Sequence, residues 1–244
     1  AKKATGRAGL ISFENAYHGS SNGALSLMGN EEFKHPFYPL LPETSIIRLN
    51  NFDDLENICS TTAAVFLETI QGEAGIRVPS MEYMQALRNR CTETGALLVL
   101  DEIQCGFGRT GRLFAFEHFY IVPDILLLAK GMGGGMPIGA FVASNELMST
   151  LSHNPILGHI STFGGHPVSC EACLSVIQEE KLVESVSAKA KLFRTLLNHT
   201  EIREIRGKGL MLAVQLRDSE QLFPAIDRCI ENGIVTDWFL FCDS

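Results

Sequence analysis

Two residue types in this chain stand where chemistry is to be expected: a lysine and an aspartate, each closing an apolar run. Asp101 follows Ala96-Leu97-Leu98-Val99-Leu100 and precedes Glu102, and Lys130 ends Asp124-Ile125-Leu126-Leu127-Leu128-Ala129-Lys130 before Gly131. Continuous apolar runs of this length suit strands buried on both faces of a mainly parallel sheet. A primary amine and a carboxylate delivered by such strands to one sheet edge are not ordinary surface charges. Desolvating either alone costs several kcal/mol, so each needs a partner or a bound group.

Pyridoxal phosphate meets both needs, because the lysine forms its Schiff base and the aspartate pairs with its pyridinium nitrogen. In that reading Ile103 points to the same side as Asp101 and packs on the ring face. Gln104 donates to the ring's phenolic oxygen, and Tyr17 stacks on the opposite face. Plainer readings stand beside it. Lys130 opens the glycine-rich Gly131-Met132-Gly133-Gly134-Gly135-Met136-Pro137 and is equally a solvated lysine before a flexible loop. A strand-end aspartate often only caps the next turn.

Other motifs point elsewhere and fare less well. The glycine-rich loop lacks the G-K-[ST] ending of a triphosphate-binding loop. Gly106-Phe107-Gly108-Arg109-Thr110-Gly111 fits the dinucleotide fingerprint. However, a polar segment separates it from the strand, and Leu113-Phe114-Ala115-Phe116 opens no amphipathic helix for a phosphate to cap. Ser161-Thr162-Phe163-Gly164-Gly165-His166-Pro167 combines hydroxyls with a glycine pair before a helix, which reads as a phosphate nest or as a plain helix start. Glu68 and Glu73 share a loop, but no second acidic partner sits at the separation a glycosidase-type pair needs. His153, His159 and His166 show no metal-ligand spacing, and no metal is expected. Cys170 and Cys173 lie three apart in a helical stretch, where packing explains them better than redox work.

The elements that must position these residues follow from the pattern. Besides the two runs above, Gly9-Leu10-Ile11-Ser12-Phe13 and Ala63-Ala64-Val65-Phe66-Leu67 each end at a polar cluster. Between residues 67 and 96 a helix is punctuated by Pro79-Ser80 at its start and Gly95 at its end, with Met84, Leu87 and Cys91 on one face. This is a βαβ unit. In open α/β sheets ligands bind beyond the carboxyl ends of the strands, and those ends carry Tyr17-His18-Gly19, Gln71-Gly72-Glu73, Asp101 to Gln104, and Lys130. After Pro167 come two helices, the second with an apolar stripe of Leu182, Val183, Val186, Phe193, Leu196 and Leu197. A turn at Gly207-Lys208-Gly209, a strand over 210–216 and a helix near 222–232 follow. The expected organisation is a large domain over 1–180 and the start of a smaller α+β domain over 181–244. The chain reads as cut at both ends: Ala1 to Gly6 looks like the last turn of a helix, and Trp238 to Ser244 like a strand without a partner.

Bulk composition narrows the partners. The chain has 244 residues, 45% hydrophobic and 20% charged, with a net charge of −8. That acidity argues against nucleic acid or an anionic membrane as the main partner. No apolar run reaches membrane-spanning length. Seven cysteines, scattered and odd in number, suggest reduced thiols and a cytoplasmic setting.

Taken together, Asp101-Glu102-Ile103-Gln104-Cys105-Gly106-Phe107-Gly108-Arg109-Thr110-Gly111, then Pro123-Asp124-Ile125 and Ala129-Lys130-Gly131, resemble the class III (subgroup II) aminotransferases. That group includes acetylornithine, ornithine and 4-aminobutyrate aminotransferases, and the resemblance runs from Ala1 to about Leu216. It implies a fold-type I pyridoxal phosphate scaffold, a mainly parallel sheet flanked by helices. It also implies a ping-pong transfer of an amino group from an amino acid or ω-amine to a 2-oxo acid such as 2-oxoglutarate. By the same resemblance Lys130 is the Schiff-base lysine and Asp101 the pyridinium partner. Tyr17 and His18 match the aromatic-His-Gly beside the cofactor, with Ile103 on the ring and Gln104 at the phenolic oxygen. Thr162 matches the threonine that holds the phosphate of a neighbouring subunit, which implies a homodimer with shared sites. Glu73 matches a switch glutamate that pairs with a substrate-binding arginine. Four features depart: the phosphate-gripping loop and that arginine are not in this sequence, Ser20 stands where acetylornithine enzymes carry an arginine, and Thr69 replaces the usual proline. Aminomutase, racemase or decarboxylase chemistry on the same scaffold, or a non-catalytic interaction module, are the alternatives.

Overall fold

The computed structural model describes residues 1–156, 159–179 and 181–242. A single helical turn, α1 (Lys2–Thr5), leads into β1 (Gly9–Phe13). The turns α2 (Asn22–Leu25) and α3 (Glu31–Lys34) precede β2 (Thr44–Ile47) and β3 (Thr62–Glu68). Then come α4 (Met81–Thr94), β4 (Leu97–Asp101), β5 (Ile125–Leu128), β6 (Ala140–Ala143) and α5 (Asn145–Ser149). These six strands form one sheet in the order β2-β1-β3-β4-β5-β6, parallel except for β6, which runs antiparallel to β5. The chain moves from β1 outward to β2, then returns past β1 to build β3, β4 and β5. The reversal falls between β1 and β3, and such a switch point opens a crevice beyond the strand ends.

The helix between β3 and β4 forms where the sequence punctuates it. Ser80 Oγ accepts from Tyr83 N at 3.1 Å, and Gly95 takes the left-handed cap at φ 70°. Tyr83, Met84, Leu87 and Cys91 are buried on its inner face. They pack on Ile11, Phe13, Val65, Leu67, Leu98 and Leu100 from one side of the sheet. The alternate residues Leu10, Ala64 and Val99 point to the other side, as strand geometry requires. Each buried leucine contributes about 1.5–3 kcal/mol, and this double-faced burial makes the strand ends rigid mounting points.

The four strands expected from the apolar runs are β1, β3, β4 and β5. The sequence reading missed β2 and β6, each only four residues long and largely half-exposed, and also a strand over Ile202–Lys208 that takes in Gly207 and Lys208 of the turn expected there. Beyond the sheet lie α6 (Pro167–Gln178), α7 (Lys181–Leu196), the hairpin β7 (Ile202–Lys208) with β8 (Met211–Leu216), and α8 (Leu222–Glu231). The boundary expected at residue 180 falls outside the described residues. The apolar stripe expected along α7 needs correction. Val186 and Ala190 are buried, whereas Leu182, Phe193 and Leu196 are exposed. The strand expected at 238–244 is also corrected: residues 239–242 form a tight turn closed by a bridge between Phe239 and Cys242, and 243–244 lie outside the described residues. Met211 and Ala213 of β8 share a small core with Ile70, Ile76, Cys105 and Ala115, so the hairpin is seated against the loops at the sheet's carboxyl rim. Cys173 packs with Leu128 and Met132. No helix among the described residues is long and apolar enough to cross a membrane.

Candidate active site

Parallel pairing sets Glu68 beside Asp101 and Asp101 beside Leu127, so the ends of β3, β4 and β5 share one rim. Asp101 is 5% exposed. Its Oδ2 lies 2.9 Å from His18 Nδ1, and its Oδ1 accepts from Ile103 N at 3.0 Å. An ionised carboxylate only accepts, so the Nδ1 of His18 carries the hydrogen. The other ring nitrogen, Nε2, is buried and has no hydrogen-bond partner among the described residues. Buried polar atoms are normally paired, which makes this nitrogen, beside a buried carboxylate, the atom here that lacks its usual partner.

Lys130 departs from the expected geometry. The strand β5 stops at Leu128, and Lys130 opens a 3₁₀ turn over Lys130–Gly133 with φ 48°, exposed rather than buried. The glycines after it break the extended run earlier than apolar content alone suggested. Lys130 borders a cavity of about 360 Å³ together with Ile103, Gln104, Phe107, Arg109 and Phe239. No ion pair joins Lys130 to Asp101 among the described residues.

Glu73 and Gln104 meet directly. Gln104 Nε2 donates to Glu73 Oε1 at 3.2 Å, and Leu240 N donates to Glu73 Oε2 at 3.2 Å. Phe241 N adds a bond to the Glu73 carbonyl at 3.1 Å. The Gln104 side chain crosses directly over Gly72, where a Cβ would lie 2.1 Å from its Oε1. A side chain at 72 would therefore make Gln104 move.

Two buried glutamates were not singled out as site residues by the sequence reading. Glu68 is 5% exposed and accepts from Tyr17 N through Oε1 and from Gly72 N through Oε2, each at 2.8 Å. Burial raises its carboxyl to about 7, with the charge of His18 and the two N–H groups pulling the other way. Glu102, fully buried, accepts from Ala115 N and Phe116 N at 2.8 Å and from Cys105 Sγ at 3.2 Å. Burial raises it as well, and burial together with Glu102 pushes the Cys105 thiol far up. The signal for both lay in their place at or just after a strand end.

The structure thus brings His18, Asp101, Ile103, Gln104 and Glu73 to one rim, with Tyr17 half-buried and entering through its main-chain N–H. It does not bring Thr162, which lies on an exposed loop before α6. The 106–111 segment is a run of turns leading to a 3₁₀ turn at Ala115–Phe119, without the helix that a dinucleotide site needs.

The model of the aminotransferase class-III family matches residues 1–239. An acetylornithine aminotransferase from Methanopyrus kandleri is 43% identical over 227 residues, covering 91% of this chain and 58% of that protein. A LysW-aminoadipate semialdehyde/glutamate semialdehyde transaminase from Sulfurisphaera tokodaii is 40% identical over 225 residues, covering 89% of this chain and 57% of that protein. Among solved structures, an ornithine aminotransferase from Toxoplasma gondii, crystallised with partial occupancy of PLP at its active site, superposes with a TM-score of 0.87. It is 34% identical, with 96% of this chain and 58% of that one covered. The chain therefore spans somewhat over half the length of these relatives.

Proposed function

Because this chain belongs to the class-III aminotransferases, we propose that the protein carrying it is a pyridoxal phosphate-dependent aminotransferase. It would move an amino group from an amino acid or ω-amine to a 2-oxo acid such as 2-oxoglutarate. The observation that carries this is the buried Asp101–His18 pair with its unpartnered ring nitrogen, on the same rim as the exposed amine of Lys130. When bound, the cofactor supplies an electron-withdrawing ring that weakens the Cα–H bond of the amine donor.

The chain's own residues divide the remaining work. Asp101, fixed by His18 and by Ile103 N, would hold the protonated ring nitrogen through its charge. Lys130 would anchor the cofactor covalently and then, as a free amine, take the proton from the donor's Cα. Ile103 would pack on the ring, Tyr17 and His18 would border it, and Gln104 has a second N–H to give the phenolic oxygen. Glu73, already held by Gln104 and Leu240, would adjust the pocket between donor and acceptor. Thr162 sits outside this site on an exposed loop, which suits service to a second copy, so we read the protein as a homodimer. Residues 1–180 would form the large cofactor-binding domain, and 181–244 would begin a smaller one. Seven free thiols suit the cytoplasm.

The test uses the whole purified protein incubated with pyridoxal phosphate. A visible absorption band should form and should be missing in Lys130→Ala, and amino transfer to 2-oxoglutarate should vanish with it. A Lys130→Ala protein that keeps the band would overturn the lysine's role.

A further inference from the structure

We propose that Glu68 is a positioning residue of this site: a clasp that holds the Tyr17–His18 loop against the Gln71–Glu73 loop and so seats His18 on Asp101. Its importance for catalysis rests on the aminotransferase reading; the clasp itself is a matter of geometry.

The topology creates the need for it. At the switch point between β1 and β3 the chain leaves the two strands in different directions, and the sheet ladder ends before their loops begin. Glu68 is the last residue of β3. Its two carboxylate oxygens each take one backbone N–H at 2.8 Å, from Tyr17 on the first loop and Gly72 on the second. The same two segments are tied a second time by Gln71 Nε2, which donates to the Glu14 carbonyl at 2.8 Å. The residue after Tyr17 is His18, whose ring reaches Asp101, and the residue after Gly72 is Glu73, which meets Gln104. One carboxylate thus aligns residues on both walls of the crevice.

A carboxyl group is the side chain this junction requires, because both of its oxygens have lone pairs with which to accept. A glutamine of the same length has one acceptor and one donor, so it would present an N–H to one of the two N–H groups. An apolar residue would leave both amides buried and unpaired. His18, on the first loop, contributes the favourable charge facing Glu68, and Asp101 on β4 contributes the opposing one.

The experiment compares Glu68→Gln with wild type in the whole protein by hydrogen exchange and cofactor binding. The expected result is about tenfold faster exchange at Tyr17 or Gly72, with the amides inside β3 unchanged and pyridoxal phosphate held about tenfold more weakly. KM for the amine donor should rise more than kcat falls. If both amides stay protected and cofactor affinity is unchanged, Glu68 is only a buried residue and the clasp is wrong. Should Glu68→Gln fail to fold, Glu68→Asp decides. It keeps the charge but withdraws it by one methylene, so it should loosen the same two amides, and full protection there overturns the proposal. A wild-type protein that binds no pyridoxal phosphate would sink the aminotransferase reading, while the exchange data would still judge the clasp.

Discussion

Three buried carboxylates lie along the rim, and each is held in a different way. Asp101 faces a histidine, Glu68 faces two loop amides, and Glu102 takes two amides and a thiol. Burial lifts Glu68 from its ordinary 4.5 to about 7, so the folded protein keeps a proton that the unfolded chain has already released. That contribution to stability is complete below about pH 4.5, shrinks as pH rises, and is gone above about pH 7. Urea denaturation at about pH 5 and about pH 8 should show wild type losing up to about 3 kcal/mol more between the two than Glu68→Gln does. Cys59 gives a second residue-scale test. The hydroxyl of Thr61, 3.2 Å away, and that of Thr62 lower its thiol to about 7, whereas burial raises Cys91 to about 12. Brief iodoacetamide treatment should label Cys59 ahead of Cys91 and Cys105, and Thr61→Val should slow it, as read by peptide mass spectrometry. Asp101 was legible in the sequence because five apolar residues deliver it. The strand-end pattern brought His18 to the same rim, but its pairing with Asp101 was not legible, because eighty-three positions separate the two and only the strand order joins them. The double role of Glu68 was hidden for the same reason: backbone amides leave no mark in a sequence.

Helix α4 is the element whose limits were written most plainly, since a serine cap and a stop glycine bracket an apolar face. Ser80→Ala should cost about 1 kcal/mol. Gly95→Ala should cost about 1 kcal/mol as well, because φ is 70° there and a Cβ would sit 3.0 Å from Arg7 Nη2. The two lie at opposite ends, so the double variant should lose about 2 kcal/mol by denaturant midpoint. The short strands β2 and β6 escaped notice because four half-exposed residues carry too little periodic signal. The turn at Lys130 escaped because an L-residue with positive φ is rare, and nothing in the types Ala129-Lys130-Gly131 requires one. Gly72 belongs to this scale too. Gly72→Ala would push Gln104 aside and leave the Glu73 carboxylate held by Leu240 N alone, and a resulting rise in KM for one half-reaction, with folding intact, would be the readout.

Across the whole molecule, residues 238–242 return to the rim and close it from above. Leu240 and Phe241 bond Glu73, Phe239 lines the cavity by Lys130, and Phe241 meets the Phe33 ring edge-on at 5.5 Å. Trp238, the single tryptophan, packs 5.5 Å from Phe223. In Glu73→Ala the turn loses one of its holds, and Trp238 emission should shift to the red; an unmoved spectrum would mean that other contacts fix the segment. The left-handed backbone at Lys130 has a consequence of another kind. A lysine in that conformation costs roughly 1 kcal/mol that asparagine largely avoids. Lys130→Asn should therefore melt about 2–4 °C higher than the parent while having no amine to offer. Selection for durability alone would have discarded this lysine; its retention would be the mark of a catalyst that trades thermal resilience for turnover.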